Sequence, residues 1–322
     1  ATVQRKKVTR LIADFKTVDV PTEAKETCRN WFYKVACIRE LLPRIYIEIA
    51  LLKCYRFLSD SEFQQIFLRI GSLIRGLGDP IVSLYCRLYL VVVSSEVAPE
   101  VTAHLPGLLQ DILFGFQMLK EPNHIAKLKK CKMGPGEYSH LLSPAVEFLL
   151  RIVAKKSIST KELFQSLLQA YRDYSMDLMV LRHFIEAFDP RFYAHGALGM
   201  VALIKTATVT SILPTDAYGA LARQLVNTPP PEEQRIPLLN EVWKVVSKTE
   251  DIASYIRCCT AWVDVVQKHY SDRELLILMS DCSNKLSAFK AAGGEVPESV
   301  SSYLEALVTS LMTGFGGAKQ GE

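Results

Sequence analysis

Apolar residues recur every three or four positions along most of the chain, in runs interrupted by charge and separated by short polar signals. The pattern is clearest from Phe63, where Phe63, Ile66, Phe67, Ile70, Leu73, Ile74 and Leu77 keep helical spacing with Gln64, Gln65 and Arg69 opposite. Such a stripe predicts a helix with one wet face. The preceding stretch, LLPRIYIEIALLKCYRFL (41–58), differs: Ile45, Tyr46, Ile47, Ile49, Leu51, Leu52, Tyr55 and Phe57 point all round the axis. A helix apolar on every side is covered on every side, or keeps one side for a partner.

Start and stop signals divide the runs. Ser59-Asp60-Ser61-Glu62, Ser159-Thr160-Lys161-Glu162 and Ser271-Asp272-Arg273-Glu274 each match a capping box, in which hydroxyl and carboxylate satisfy free N–H groups of a first turn. Asp79-Pro80 and Asp189-Pro190 give the other start signal, because proline's missing N–H costs nothing there. Gly76-Leu77-Gly78 and Gly293-Gly294 are stops, with Gly76, Asp79 and Pro80 forming one structural turn. The predicted helices cover 22–41, 43–58, 60–76, 79–95, 101–119, 139–155, 159–187, 190–207, 215–227, 233–248, 250–269, 271–291 and 297–313. Connections this short set neighbours antiparallel, and one helix pair then takes roughly 35 to 45 residues, the length of a HEAT-like repeat. The expected fold is all-α, an α-solenoid of HEAT-like antiparallel helix pairs in which each helix mainly touches its neighbours in sequence. Residues 1–322 read as one solenoid segment from a longer scaffold, with 121–138 as a polar, Gly/Pro-bearing loop insertion and 314–322 as a flexible tail. Thr228-Pro229-Pro230-Pro231 reads as a stiff spacer between helices.

Charge changes this picture little. Thirty-eight Lys and Arg against 34 Asp and Glu leave +4, and two basic segments more than account for it: Arg5, Lys6, Lys7 and Arg10, then Lys120, Lys127, Lys129, Lys130 and Lys132. Neither interleaves aromatics as a nucleic-acid surface does, so no nucleic acid is expected. Eight cysteines without a CxxC pair fall mostly in apolar runs, the pattern of a reduced, cytosolic protein. The chain begins Ala1-Thr2-Val3 without an apolar leader and reads as part of something longer. Ile81 to Val93 is broken by Arg87 and falls short of the ~20 apolar residues of a bilayer span, so membrane contact is expected to be peripheral or through partners.

Chemistry is sparse. Six scattered histidines form no metal-binding pattern, and no GxSxG elbow is present, so neither cofactor nor metal is expected. Asp173 and Asp177, four apart, could form an acid/base pair, but a solvated helix face beside Arg172 and Arg182 accounts for them better. The chain is expected not to be an enzyme. Trp31 is open to two readings: a core aromatic beside Val35 and Ile38, or a binding anchor converging with Arg44 from the next helix.

Three segments carry a family resemblance: TEAKETCRNWFYKVACIRELLPRIYIE (22–48), IRGLGDPIVSLYCRLYL (74–90) and LLNEVWKVVSKTEDIASYI (238–256). They closely resemble the large scaffold subunits of the retriever complex, relatives of the retromer large subunit. Pro43-Arg44-Ile45-Tyr46-Ile47 stands where retromer large subunits have Pro-Arg-Leu-Tyr-Leu, with Ile in place of both Leu. The resemblance implies that an arrestin-fold subunit docks here, through Trp31, Pro43, Arg44 and Tyr46. It also implies a metallophosphoesterase-fold subunit bound beyond Glu322, action with the COMMD and coiled-coil-domain (CCC) assembly, and a cytoplasmic, endosome-associated scaffold that supports recycling of cargo to the plasma membrane. Another HEAT-like transport or coat adaptor would have the same composition. Residues 121–138 match the family poorly, and nothing is carried onto them.

Overall fold

A computed structural model describes residues 11, 15–59, 61–156 and 160–316, with side chains to residue 309. Among these residues there are fifteen α-helices and no strand: α1 (Thr22–Ala36), α2 (Leu41–Ala50), α3 (Phe63–Ile74), α4 (Pro80–Val97), α5 (Leu105–Met118), α6 (Pro122–Lys130), α7 (Pro135–Lys156), α8 (Lys161–Ala170), α9 (Leu178–Ala187), α10 (Ala197–Thr206), α11 (Pro214–Leu225), α12 (Glu232–Val246), α13 (Ile252–His269), α14 (Asp272–Ala291) and α15 (Ser301–Gly316). The fold is an all-α solenoid, as the periodicity predicts. Two compact units divide the chain, residues 1–125 with 144–159 and residues 126–143 with 160–322. The expected single segment thus comprises two compact units, with divisions inside α6, inside α7 and just before α8.

Side-chain contacts join residues 36 to 44 positions apart, once in the first unit and repeatedly in the second. In the first, Arg75 at the end of α3 binds Asp111 of α5, 36 residues on, at 2.9 Å. In the second, Ser143 Oγ of α7 lies 2.9 Å from His183 Nε2 of α9, 40 residues apart, and Arg223 of α11 donates to Glu186 of α9, 37 apart, at 3.1 Å. Lys205 of α10 pairs with Glu241 of α12. Trp262 Nε1 of α13 donates to the Tyr218 carbonyl of α11 across 44 residues, and Trp243 Nε1 of α12 to Asp281 of α14 across 38. All join a helix to its next-but-one successor. The second unit thus holds one row of α9, α11, α13 and α15 and another of α10, α12 and α14, with the repeat length the sequence predicts.

In the second unit these rows correct the expectation that each helix mainly touches its sequence neighbour; in the first unit it largely holds, with α1 on α2, α2 on α3, α3 on α4 and α4 on α5. The most extensive helix contact is between α11 and α13. Its cause is side-chain size: Ala217, Gly219, Ala220 and Ala222 are buried on α11, and a β-carbon at Gly219 would lie only 3.7 Å from the Cys258 backbone of α13. Small residues let two backbones approach closely.

Capping follows the sequence unevenly. Ser271 and Glu274 form the reciprocal box, and Asp79 Oδ1 accepts from the N–H groups of Ile81 and Val82 at 3.1 and 3.2 Å. The box at Ser59 does not form: Asp60 lies outside the described residues, α3 starts three positions later than predicted, after Glu62, and Ser59 Oγ accepts from Ser61 N–H. Thr160, not Ser159, caps α8, and Ser159 lies outside the described residues. Asp189-Pro190 opens only a 3-10 turn, Pro190–Phe192. The predicted helix over 159–187 is interrupted: after a π turn, Tyr171–Ser175, Met176 takes a left-handed φ of 52°, and Asp177 then caps α9. Residues 121–138 are not the expected loop, since they hold α6 and the start of α7. The predicted tail is helical as far as Gly316, and 317–322 lie outside the described residues, as do Arg5, Lys6, Lys7 and Arg10.

α4 reaches 18 residues, so by length and composition it could cross a bilayer, which the shorter predicted run could not. It packs against α2, α3 and α5 and buries Leu84, Cys86, Leu90, Val91 and Val93. Arg87 is buried among them, with Asp111 of α5 3.7 Å away as its counter-charge.

Candidate docking surfaces

α2 is two-sided. Its turns bury Ile45, Glu48 and Ile49, while Pro43, Tyr46, Ile47 and Ala50, at helical spacing i, i+3, i+4 and i+7, form an exposed apolar stripe. Tyr46 is 41% and Ile47 39% exposed. The neighbouring α4 continues the surface. Its Tyr89 ring lies 5.7 Å from that of Tyr46, and Tyr85 and Val92 are exposed on the same face. Partial burial, and then the adjacent Cys86, push the Tyr46 hydroxyl above the ordinary tyrosine range, so it stays neutral. The all-round apolar helix therefore has one open side. Ile47, Tyr85 and Tyr89 were not among the predicted site residues; the spacing of Tyr85, Tyr89 and Val92 on α4 is the signal that finds them.

Arg44 faces the other way. Its Nε donates to Glu48 Oε1 at 2.8 Å, and Arg69 of α3 reaches Glu48 Oε2 at 2.7 Å. Two guanidinium groups flank one buried carboxylate, which ties α2 to α3. Arg44 is thus a structural residue at the foot of the exposed stripe.

Trp31 is 57% exposed, so the core reading of it is wrong. It lies at the mouth of an apolar cavity of about 360 Å³ lined by Val20, Cys28, Phe32, Leu51, Cys54 and Phe57, with Lys34 Nζ 5.4 Å from its ring centroid. The cavity residues and the contacts of Arg44 share no member. The structure does not bring Trp31 and Arg44 together as the two-anchor reading expects, because Trp31 sits opposite the C-terminal extension of α2 and Arg44 lies in its first turn.

The turn residues sit where predicted. Gly76 follows α3, and a β-carbon there would come within 2.8 Å of Leu41 Cδ2 at the start of α2. Its φ is negative, so the requirement is room for Leu41 and not a left-handed backbone. Pro80 and Gly78 line a cleft of about 240 Å³ with Arg75, Arg87 and Asp111. Asp111 already holds both arginines.

Groups that resemble catalytic machinery resolve into braces. Ser143, His183 and Glu186 stand in nucleophile-base-acid order, but His183 Nδ1 is 3.7 Å from Glu186, whose carboxylate is held by Arg182 and Arg223. Asp173 accepts from Gln169, while Asp177 caps α9 and accepts from Thr210 Oγ1 at 2.6 Å; the break at Met176 separates them. Among the described residues, no three His, Cys, Asp or Glu side chains gather as a metal site requires.

Two family models cover the chain: the one described as VPS35L matches residues 1–141, and the one described as VPS35L C-terminal domain matches 143–314. The chain belongs to the VPS35L family. It is 34% identical over 295 residues to the VPS35 endosomal protein sorting factor-like protein of Dictyostelium discoideum, covering 90% of this chain and 29% of the relative. The corresponding protein of Danio rerio is 32% identical over 301 residues (94% and 30%), and that of Homo sapiens 30% over 275 (85% and 28%). The chain spans less than a third of the length of these VPS35L relatives. The two VPS35L models meet at 141–143, beside the division inside α7.

Proposed function

We propose that this chain is a segment of a non-enzymatic scaffold subunit of a retriever-type complex, and that an arrestin-fold subunit docks on the open face of α2 and α4. The observation that carries the docking reading is the apolar stripe on the Pro-Arg-Ile-Tyr-Ile motif. A solenoid core supports the stripe from beneath, and it continues onto a second helix as Tyr85, Tyr89 and Val92. Aromatic side chains on a fixed surface make effective anchors, because burying them costs little conformational freedom. The relatives' description as endosomal protein-sorting factor-like supports an endosome-associated role on the cytoplasmic side. In this reading the metallophosphoesterase-fold subunit and the CCC assembly engage the same scaffold, the former beyond this segment. Holding subunits at fixed spacing raises their effective concentration for cargo, and recycling to the plasma membrane follows from that geometry.

Tyr46→Asp with Ile47→Asp tests the face. Both side chains are exposed, so the melting temperature should stay within about 2 °C of wild type, while capture of the purified arrestin-fold subunit falls at least about 30-fold, the loss of one anchor of ~2 kcal/mol. Undiminished capture by the folded double variant overturns the assignment. Trp31→Asp, on its own cavity, reports whether the bound subunit also reaches α1. Arg44→Glu is a poor probe, because Arg44 is bound to buried Glu48. It would set a second carboxylate against buried Glu48 and destabilise by about 2 kcal/mol, with Arg69 limiting the loss.

A further inference from the structure

α6 carries no buried residue. A nine-residue helix is marginal in water on its own, and α6 rests on the fold only through half-buried side chains such as His124 and Leu128. What it displays is charge. Lys127, Lys129 and Lys130 occupy its last turn, Lys132 follows, and all four are exposed and form no ion pair among the described residues. One or two lysines would suffice to offset the carbonyl end of a helix dipole. Four in six residues exceed that.

The helix end supplies a second, independent observation. α6 closes with Met133 N–H on the Leu128 carbonyl at 3.0 Å, which places Lys132 at a left-handed φ of 55°. Glycine or asparagine is the usual occupant of that position, because a β-carbon is strained there. Lysine stands there instead, adding a charge at a position where the backbone favours glycine.

We infer that the lysine cluster Lys127, Lys129, Lys130 and Lys132 is a docking surface for an anionic membrane, contacting lipid headgroups directly. The chemistry of the cluster selects this occupant. The cluster has no arginine, whose planar fork reads a carboxylate or phosphate peptide group in a fixed orientation. Between Glu121 and Glu137 there is no Phe, Tyr or Trp on which a base could stack, and the His124 ring is half-buried. The lysines line neither of the cavities described above. Point charges on flexible stems, on an open helix, match a diffuse layer of negative headgroups. Of the acidic neighbours, Glu137 is engaged by the Gly134 N–H at 2.8 Å and Glu121 precedes α6, so the segment 120–137 stays net positive, with five lysines against two glutamates. This inference stands apart from the arrestin-fold docking and rests on different residues.

Vesicle sedimentation with the whole chain tests it. Vesicles of phosphatidylcholine with about 30% phosphatidylserine should bind the chain at 0.1 M salt, where the screening length is about 10 Å, and phosphatidylcholine vesicles should not. Each neutralised lysine near the surface should weaken partitioning about fivefold, so Lys127→Gln with Lys130→Gln should lose about 25-fold. Glutamine keeps the helix, which circular dichroism checks, and Lys155→Gln with Lys248→Gln serves as a charge-matched control that should change binding less than twofold. Equal loss in the control pair, unchanged binding of the Lys127/Lys130 variant, or tighter binding to a polyglutamate peptide or an RNA oligomer than to vesicles would each overturn the proposal.

Discussion

Gly76 shows how little room separates a tolerated residue from a damaging one. The α-hydrogen that a side chain would replace faces Leu41 Cδ2, and any side chain there must push that methyl aside. Gly76→Glu should therefore lower the urea midpoint by the equivalent of about 1 kcal/mol, the cost of modest overpacking. A cycle with Leu41→Ala should show coupling, because the shorter side chain removes the clash. Additive losses would place the effect elsewhere. Sequence marked Gly76 as a turn residue but could not name the reason, since the contact is with a residue 35 positions away. The same limit applies to Trp31, left open between core and anchor, and to Arg44, read only as an anchor: the neighbouring helices decide which side chain meets solvent and which meets Glu48.

The rows of helices carry a pH dependence. Burial raises the Glu186 carboxyl, but His183, Arg182 and Arg223 together outweigh it and hold the group down at about 2, against an ordinary 4.5. A depressed folded value contributes stability that is present above about 4.5 and lost as pH falls towards 2, by up to about 3 kcal/mol. The stability gap between wild type and Glu186→Gln should accordingly be widest near neutrality and shrink between pH 5 and pH 3 in urea titrations. In the same row, Gly219→Leu should cost about 2 kcal/mol by forcing α11 from α13, whereas Gly219→Ala should be tolerated, its new atom meeting ordinary contact distances. Elements with strong periodicity, such as α3, α13 and α14, were legible before any coordinates. α6 was missed because its Pro, Asn and lysines spell a loop by local preference. The break at Met176 was missed because no glycine or proline marks it; a left-handed methionine leaves no signal in the hydrophobic pattern.

Across the whole chain, protection should follow burial. α11 and α13 pack their small and aromatic residues against each other and bury Tyr218, Tyr255 and Trp262 completely, so their amides should exchange slowest with deuterium. α6, without a buried side chain, should exchange fastest among the helices, and slow exchange there would contradict its surface character. Arg87 has a consequence at an earlier stage of the chain's life. Before α2, α3 and α5 have formed around it, α4 is an 18-residue greasy stretch that a translocon samples much as it samples a true span. A lone arginine near the middle of such a stretch opposes lateral partition into lipid by about 3 kcal/mol. The residue that the finished fold neutralises with Asp111 thus also raises the cost of placing α4 in a bilayer before its neighbours cover it.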